Sequence, residues 1–327
     1  MSEDKIVVIG HKNPDTDSIC SAIAYAYLKN CESGLEPCEE DYKYEAYKVG
    51  TISPETIFAL DYFQVGEPNN LENAKGRMVV QVDHNGYEQA VDGLQDAIVV
   101  EIVDHHKIGT TITNEPIFFL NRKVGCTATL IYEMFLEKEI SIPITIAGLM
   151  CSAIISDTLL FRSPTCTDRD KIAGLNLADI AGINVDEYAM AMFRAGSDFN
   201  GKNIEEIFST DYKTFNIGNL EYGVGQISCV DKEELETLTV KLLAYMKERI
   251  KNSGENMIFM MMTNIIDEYS DFLCIGKNAY EVSIEAFNID EVLYDSKDRI
   301  YLKGVLSRKK QIIPQLTSVL RKRAMTL

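Results

Sequence analysis

The chain contains no apolar run near the roughly 18 residues needed to cross a bilayer, and candidates such as Ile98 to Val103, broken by Glu101, and Met257 to Met262 have strand length. The polar start Met1, Ser2, Glu3, Asp4 carries none of the features of a signal peptide, so no membrane association and a cytoplasmic location are expected. Of eight cysteines (Cys20, Cys31, Cys38, Cys126, Cys151, Cys166, Cys229, Cys274), no two are separated by only two residues. That spacing speaks against a zinc ribbon or a dithiol redox motif, and a chain of this size needs no disulfide framework. The cysteines are read as reduced, mostly buried small hydrophobes. Basic residues are also scarce, 32 against 50 acidic ones, for a formal net charge of -18. A nucleic-acid partner is not expected, because phosphate backbones reward clustered Lys and Arg. An anionic substrate would need local positive charge, since screening over about 8 Å weakens the overall field but does not reverse it.

What is present suffices for two cores: 327 residues, 46% hydrophobic and 25% charged. Ile6 to Ile9, Tyr44 to Val49, Met78 to Val82 and Ile98 to Val103 read as strands, with helices over Asp17 to Asn30 and near Pro54 to Phe63. This alternation implies a largely parallel sheet with flanking helices. The segment Asp41 to Tyr47, rich in Tyr and Lys, reads as surface strand and loop. Helical patterns follow over Cys126 to Glu137, Pro143 to Ser156, Asp168 to Ala181 and Asp186 to Phe193. Gly196 to Gly201 looks like a linker. Beyond it, a hairpin (Phe215 to Ile217, Val224 to Val230), a helix over Glu233 to Lys251, strands at Met257 to Thr263, Phe272 to Ile275 and Tyr301 to Val305, and helices near Ala279 to Phe287 and Gln311 to Arg323 describe a smaller mixed α/β domain.

The chain has only four histidines, His11, His84, His105 and His106, each close to an aspartate just beyond a strand. Open parallel sheets bind ligands outside the carboxyl ends of their strands, and three such ends here offer His and Asp together. Asp157, at the end of the apolar segment Ile144 to Ile155, adds a carboxylate that would be costly there without a metal or hydrogen bonds. Singly, His11 or Asp17 would be an ordinary loop residue or helix cap. Jointly, His11, Asp15, Asp17, Asp83, His105 and Asp157 make sense as a cluster whose mutual repulsion is relieved by two divalent cations. Imidazole and carboxylate without thiolate suit Mn²⁺ or a similar ion. Three basic residues, Arg308, Lys309 and Lys310, precede the last helix; Lys310 reads as solvated, whereas Arg308 and Lys309 suit an anionic substrate.

Gly10 to Cys20 and Val103 to His106 resemble the signature motifs of the DHH phosphoesterase superfamily and, more narrowly, of family II inorganic pyrophosphatases of the manganese-dependent type without a regulatory insert. The likeness continues through Val82 to Asn85, Gly125 to Thr129, Ser152 to Asp157, Ser163 to Asp168 and Ser307 to Gln311. It implies a metal-binding DHH catalytic domain over residues 1–195, a linker over 196–201, and a substrate-binding DHHA2-type domain over 202–327. It further implies that His11, Asp15 and Asp83 hold one metal and Asp17, Asp83, His105 and Asp157 a second, with Asp83 bridging. Mn²⁺ or Co²⁺ would sit at these positions, two per active site, with Mg²⁺ accompanying pyrophosphate. His106, Lys202, Arg308 and Lys309 would contact the phosphates, and His84 and Asp104 would orient the ligands.

The expected reaction is attack of a metal-bridged hydroxide on pyrophosphate with closure of the C-terminal domain over it. His106 and Asp15 are the catalytic candidates, His106 as proton donor. A homodimer is expected from the same resemblance. Exopolyphosphatase or another phosphoesterase of the superfamily is the alternative among enzymes, and a phospholigand sensor the alternative outside them.

Overall fold

The computed structural model describes residues 5–34, 43–197, 199, 201–218, 220–289, 294 and 296–325. Met1 to Asp4, Cys38, and Asp198 and Asn200 of the expected linker lie outside the described residues, as do the first residues of the Asp41 to Tyr47 segment. The chain divides into two compact units, Met1–Gly196 and Ser197–Leu327.

The first unit is built on six parallel strands: β1 (Ile6–Ile9), β2 (Tyr44–Lys48), β3 (Asn69–Asn70), β4 (Met78–Val82), β5 (Ile98–Asp104) and β6 (Phe118–Asn121). Their order is β3-β2-β1-β4-β5-β6. All neighbouring pairs are parallel. The order reverses between β1 and β4, so the loops after those strands part and leave a crevice at their carboxyl ends. Val7, Ile9, Val79, Val99 and Ile102 pack on one face against Leu71, Ala74, Val91 and Leu94.

Helices complete the unit: α1 (Thr16–Glu32), α2 (Pro54–Tyr62), α3 (Thr127–Glu137), α4 (Ile144–Thr158), α5 (Asp168–Ala181) and α6 (Val185–Gly196). Nearly all of α4 is buried from Ile146 to Ile155, as an all-round apolar helix must be, and it packs against both α1 and α5. Ser53 caps α2 through the Thr56 N–H, with Pro54 at the first position, where its missing donor costs nothing.

Two expectations change. Tyr44–Lys48 is an inner strand, bonded to β1 on one side and β3 on the other. Its Tyr and Lys content suggested a surface only because long amphipathic side chains can cover a sheet while keeping their polar ends in water. Phe118–Asn121 forms an unexpected edge strand, too short to show alternation and defined by its pairing with β5.

The second unit contains α7 (Ile204–Ser209), β7 (Tyr212–Ile217), β8 (Leu220–Cys229), α8 (Lys232–Arg249), β9 (Met257–Asn264), β10 (Tyr269–Gly276), α9 (Ala279–Phe287), β11 (Arg299–Lys303) and α10 (Ile313–Met325). The sheet runs β11-β10-β9-β8-β7, with β8 and β9 parallel and the other pairs antiparallel. Along β9, Met257, Phe259 and Met261 enter one core while Ile258, Met260 and Met262 enter the other, which is why the strand is apolar without a break from Met257 to Met262. Burying each such side chain contributes about 2 kcal/mol. Among the described residues, no helix is long and apolar enough to cross a membrane, and the seven described cysteines are free thiols.

Candidate metal centre

Each element of the first unit delivers its ligand for a local reason. After β1, the His11 N–H donates to Ser18 Oγ at 2.9 Å, an approach so close that a Cβ at Gly10 would lie 1.8 Å from that oxygen. Asp15 is the N-cap of α1, accepting the Ser18 N–H at 3.0 Å. Asp17, in the first turn of α1, also serves a second helix: its oxygens accept the Thr127 and Ala128 N–H groups of α3 at 2.6 and 3.1 Å, and the Ser21 hydroxyl at 2.6 Å. A carboxylate at that helix start complements the positive end of the dipole. Asp83, directly after β4, has φ +59°, a left-handed conformation of the kind held under strain at functional sites. Asp157 occupies the last turn of α4.

The imidazoles are oriented alike. His11 Nδ1 is 2.8 Å from the Lys12 carbonyl and His105 Nδ1 is 3.2 Å from that of Val124, so each Nδ1–H donates to backbone and each Nε2 faces the carboxylates. His11 Nε2 lies 3.4 Å from both Asp15 Oδ2 and Asp83 Oδ2. His105 Nε2 lies 3.4 Å from Asp83 Oδ1 and 3.7 Å from Asp157 Oδ2, yet it is buried and hydrogen-bonded to neither. Donors sharing an ion at about 2.1 Å stand about 3.0–3.5 Å apart, so these separations, long for hydrogen bonds, suit ligands around a cation. The two oxygens of buried Asp83 thus face two different histidines.

The groups that could each surround an ion are His11, Asp15 and Asp83; Asp83, His105 and His106; and Asp17, Cys126 and Asp157. Within each group, one potential ligand atom per residue lies within 4.8 Å of the others. All six residues expected as metal ligands are therefore brought into these groups. Cys126, read from the sequence as an inert small hydrophobe, joins them unexpectedly; nothing in its spacing marks it.

The imidazoles and carboxylates of the cluster shift one another's affinity for protons. Burial depresses the His105 imidazole, but Asp83, Asp157 and Asp17 outweigh it and push it up to about 10. Burial likewise opposes His11, which Asp15 and Asp83 hold well above the ordinary value. Burial, followed by the Asp83 charge, pushes Asp17 up to about 6, and burial beside Asp17 and Asp15 holds Asp157 well above the carboxylate range. Asp83 goes the other way: burial would raise it, but His105 and His11 hold it well below.

Around the ligands, Asp104 Oδ1 accepts the His105 N–H at 2.8 Å, the His106 N–H at 3.1 Å and His106 Nδ1–H at 2.9 Å. His84 is buried with Nδ1 donating 2.9 Å to the Val82 carbonyl, and burial lowers it to about 4. It belongs to none of the three groups and braces the loop after β4.

The expected phosphate contacts other than His106 belong to the second unit. Arg308 opens a π-helical turn (Arg308–Ile312) whose N-cap Ser307 accepts the Lys310 N–H. The Arg308 side chain is buried; its guanidinium lies 2.7 Å from Asp211 Oδ1 and donates to the Asp211 and Val224 carbonyls. Lys309 is exposed, and Lys202 lies half-buried just before α7. Lys213, not singled out from the sequence, is exposed on β7 and pairs with Val224, whose carbonyl accepts from Arg308.

Comparison with known proteins gives consistent relatives. The model of the DHH family, N-terminal domain, matches residues 5–154, and that of the DHHA2 domain matches residues 190–319. The manganese-dependent inorganic pyrophosphatase of Bacillus subtilis is 40% identical over 319 residues, 97% of this chain and 99% of that one. A probable manganese-dependent inorganic pyrophosphatase of Clostridium acetobutylicum is 47% identical over 319 residues, again 97% and 99% of the two chains. A Methanococcus jannaschii crystal structure assigned to family II of the inorganic pyrophosphatases superposes with a TM-score of 0.77 at 38% identity, covering 96% of this chain and 99% of that one.

Proposed function

We propose, for a chain that belongs to the manganese-dependent family II inorganic pyrophosphatases, the hydrolysis of inorganic pyrophosphate to two phosphates at a pair of Mn²⁺ ions. The observation that carries this reading is Asp83, whose two carboxylate oxygens each stand 3.4 Å from a different histidine Nε2. A carboxylate facing two half-sites is what a two-ion centre needs at its middle. His11, Asp15 and Asp83 would hold one ion, and Asp17, Asp83, His105 and Asp157 the other, with Mg²⁺ entering on the substrate. When bound, the ions would supply Lewis acidity toward the phosphoryl oxygens and acidify water.

The chain's own groups do the rest. Asp104 takes the Nδ1–H of His106, which leaves Nε2 as the atom able to carry a proton to the leaving phosphate. Lys202, Arg308 and Lys309 would balance the charge of the phosphates. Closure of the C-terminal unit over the substrate would exclude bulk water. A homodimer belongs to the same reading and is supported by the unpaired edge of β6, where Phe118 and Phe119 are exposed.

The test is phosphate release from pyrophosphate, tripolyphosphate and a dinucleotide after chelation and re-addition of Mn²⁺, Co²⁺, Zn²⁺ or Mg²⁺. Release from pyrophosphate, restored best by Mn²⁺ or Co²⁺, is expected. Preference for the longer chain would make the protein an exopolyphosphatase, and tight ligand binding without turnover under any metal would make it a sensor.

A further inference from the structure

We infer that Glu55 is a positioning residue of the metal centre, setting the distance between the carboxylates carried by α1 and the one carried by α4. The inference rests on the metal-centre reading above and concerns a residue that touches none of the ligands.

Glu55 lies in the first turn of α2, and its Oε1 accepts hydrogen bonds from two hydroxyls on different helices. One is Thr16 Oγ1, at 2.7 Å, from the residue between Asp15 and Asp17; the other is Ser156 Oγ, from the residue before Asp157. A single oxygen therefore ties the first residue of α1 to the last turn of α4. Thr16 is nearly inaccessible, and its hydroxyl is also 3.1 Å from that of Thr56, which lies 2.9 Å from the Ser53 hydroxyl at the α2 cap. The oxygen is thus held by a helix start that is itself fixed. From outside, Gly196 closes on the same side chain: a Cβ there would lie 3.1 Å from Glu55 Cβ and 3.2 Å from Oε2, so the carboxylate has little room to turn.

The need for such a tie follows from geometry. Asp15 and Asp17 come from the start of α1 and Asp157 from the last turn of α4, so the spacing of ligands for one centre depends on the spacing of two helix tips. Apolar packing of α1 on α4 fixes the helices along their length but not the last ångström at their tips. Two short hydrogen bonds to one acceptor do fix it, and ligands prealigned in this way bind metal without first being ordered.

The experiment is calorimetric titration of the metal-free protein with Mn²⁺, together with its thermal midpoint, for wild type, Glu55→Ala, Glu55→Gln, Thr16→Val and Ser156→Ala. Outer residues of this kind typically change metal affinity by about 10–100-fold. Glu55→Ala is expected to weaken Mn²⁺ binding within that range. Glu55→Gln, whose carbonyl oxygen can accept both hydroxyls, is expected to stay within about threefold of wild type, and the single hydroxyl deletions to fall between. Thr16→Val and Ser156→Ala keep the test open should Glu55→Ala fail to fold. Wild type that takes up no Mn²⁺ would refute the metal centre itself. Wild type that binds Mn²⁺ while Glu55→Ala, or both hydroxyl deletions, lower only the thermal midpoint and bind as tightly would overturn the positioning role alone.

Discussion

The Arg308 guanidinium stands 2.7 Å from the Asp211 carboxylate, and Arg308 is only 4% exposed while its partner is 45% exposed. The cation expected to meet phosphate also holds a carboxylate and two backbone carbonyls of its own unit. Either role demands a guanidinium, because only its fork reaches several acceptors at once.

The buried pair separates two neighbours in the same basic run. Arg308→Ala strands three acceptors and should cost about 2 kcal/mol, discounted for the exposed side of Asp211. Thermal unfolding should register this as a midpoint about 5 °C lower, alongside reduced turnover. Lys309→Ala, at an exposed position, should raise KM with the midpoint unchanged. Equal midpoints for the two variants would show that the Asp211 pair contributes nothing to the fold.

Metal uptake should depend steeply on pH. Ligation requires His105 without its proton and Asp17 ionised, whereas in the cation-free cluster these groups titrate near 10 and 6. Above about pH 6, binding Mn²⁺ should expel about one proton from His105 and further protons from His11 and Asp157, so affinity rises as pH rises. Below about 6 the slope should steepen as Asp17 protonates. Calorimetry in buffers of different ionisation enthalpy counts the protons; an affinity that is flat between pH 6 and pH 8 would rule out this account.

The sequence makes this much legible because histidine is rare in the chain and each of its four copies follows a strand. The sheet order then turns strand ends distant in the chain into one crevice. Other parts leave no trace. Phe118–Asn121 is a strand because β5 lies beside it, and a four-residue apolar stretch has no period to read. Cys126 looks like any buried small residue until α3 begins against Asp17. Glu55 sits in an ordinary helix start, and only the meeting of α1 and α4 gives its oxygen two hydroxyls. Arg308 was legible as a cation and not as half of a pair, since Asp211 reaches it through the fold alone.

His84 should make the protein acid-sensitive. Burial places it at about 4 in the folded protein, below the ordinary 6.5 that it regains on unfolding. A depressed folded value means that the unfolded chain binds more protons between these limits. The stability contributed is therefore complete above about pH 6.5 and is lost as pH falls to about 4, by up to about 3 kcal/mol. The raised histidines of the metal-free cluster slope in the opposite sense, so the difference between wild type and His84→Asn isolates the effect. Asn keeps a donor for the Val82 carbonyl and cannot be protonated. Denaturant unfolding should show the variant gaining relative to wild type as pH falls from 6.5 to 4; parallel profiles would place the titration elsewhere.

The β6 edge predicts an oligomer that can be broken. Among the described residues this strand pairs with β5 alone and leaves a row of backbone donors and acceptors, while Phe118 and Phe119 are 48% and 43% exposed. The opposite edge, β3, has two residues and offers no comparable template. A sheet edge that is both open and aromatic invites a second copy of the same edge, and a twofold arrangement would set Phe118 against its copy on one face of the sheet and Phe119 against its copy on the other. Lysine at the edge blocks such pairing without disturbing a strand whose side chains face solvent. Phe118→Lys combined with Phe119→Lys should sediment as a monomer under conditions where wild type sediments as a dimer, with the metal-free thermal midpoint altered only by loss of the partner. A double variant that still sediments as a dimer would move the interface to another face of the chain.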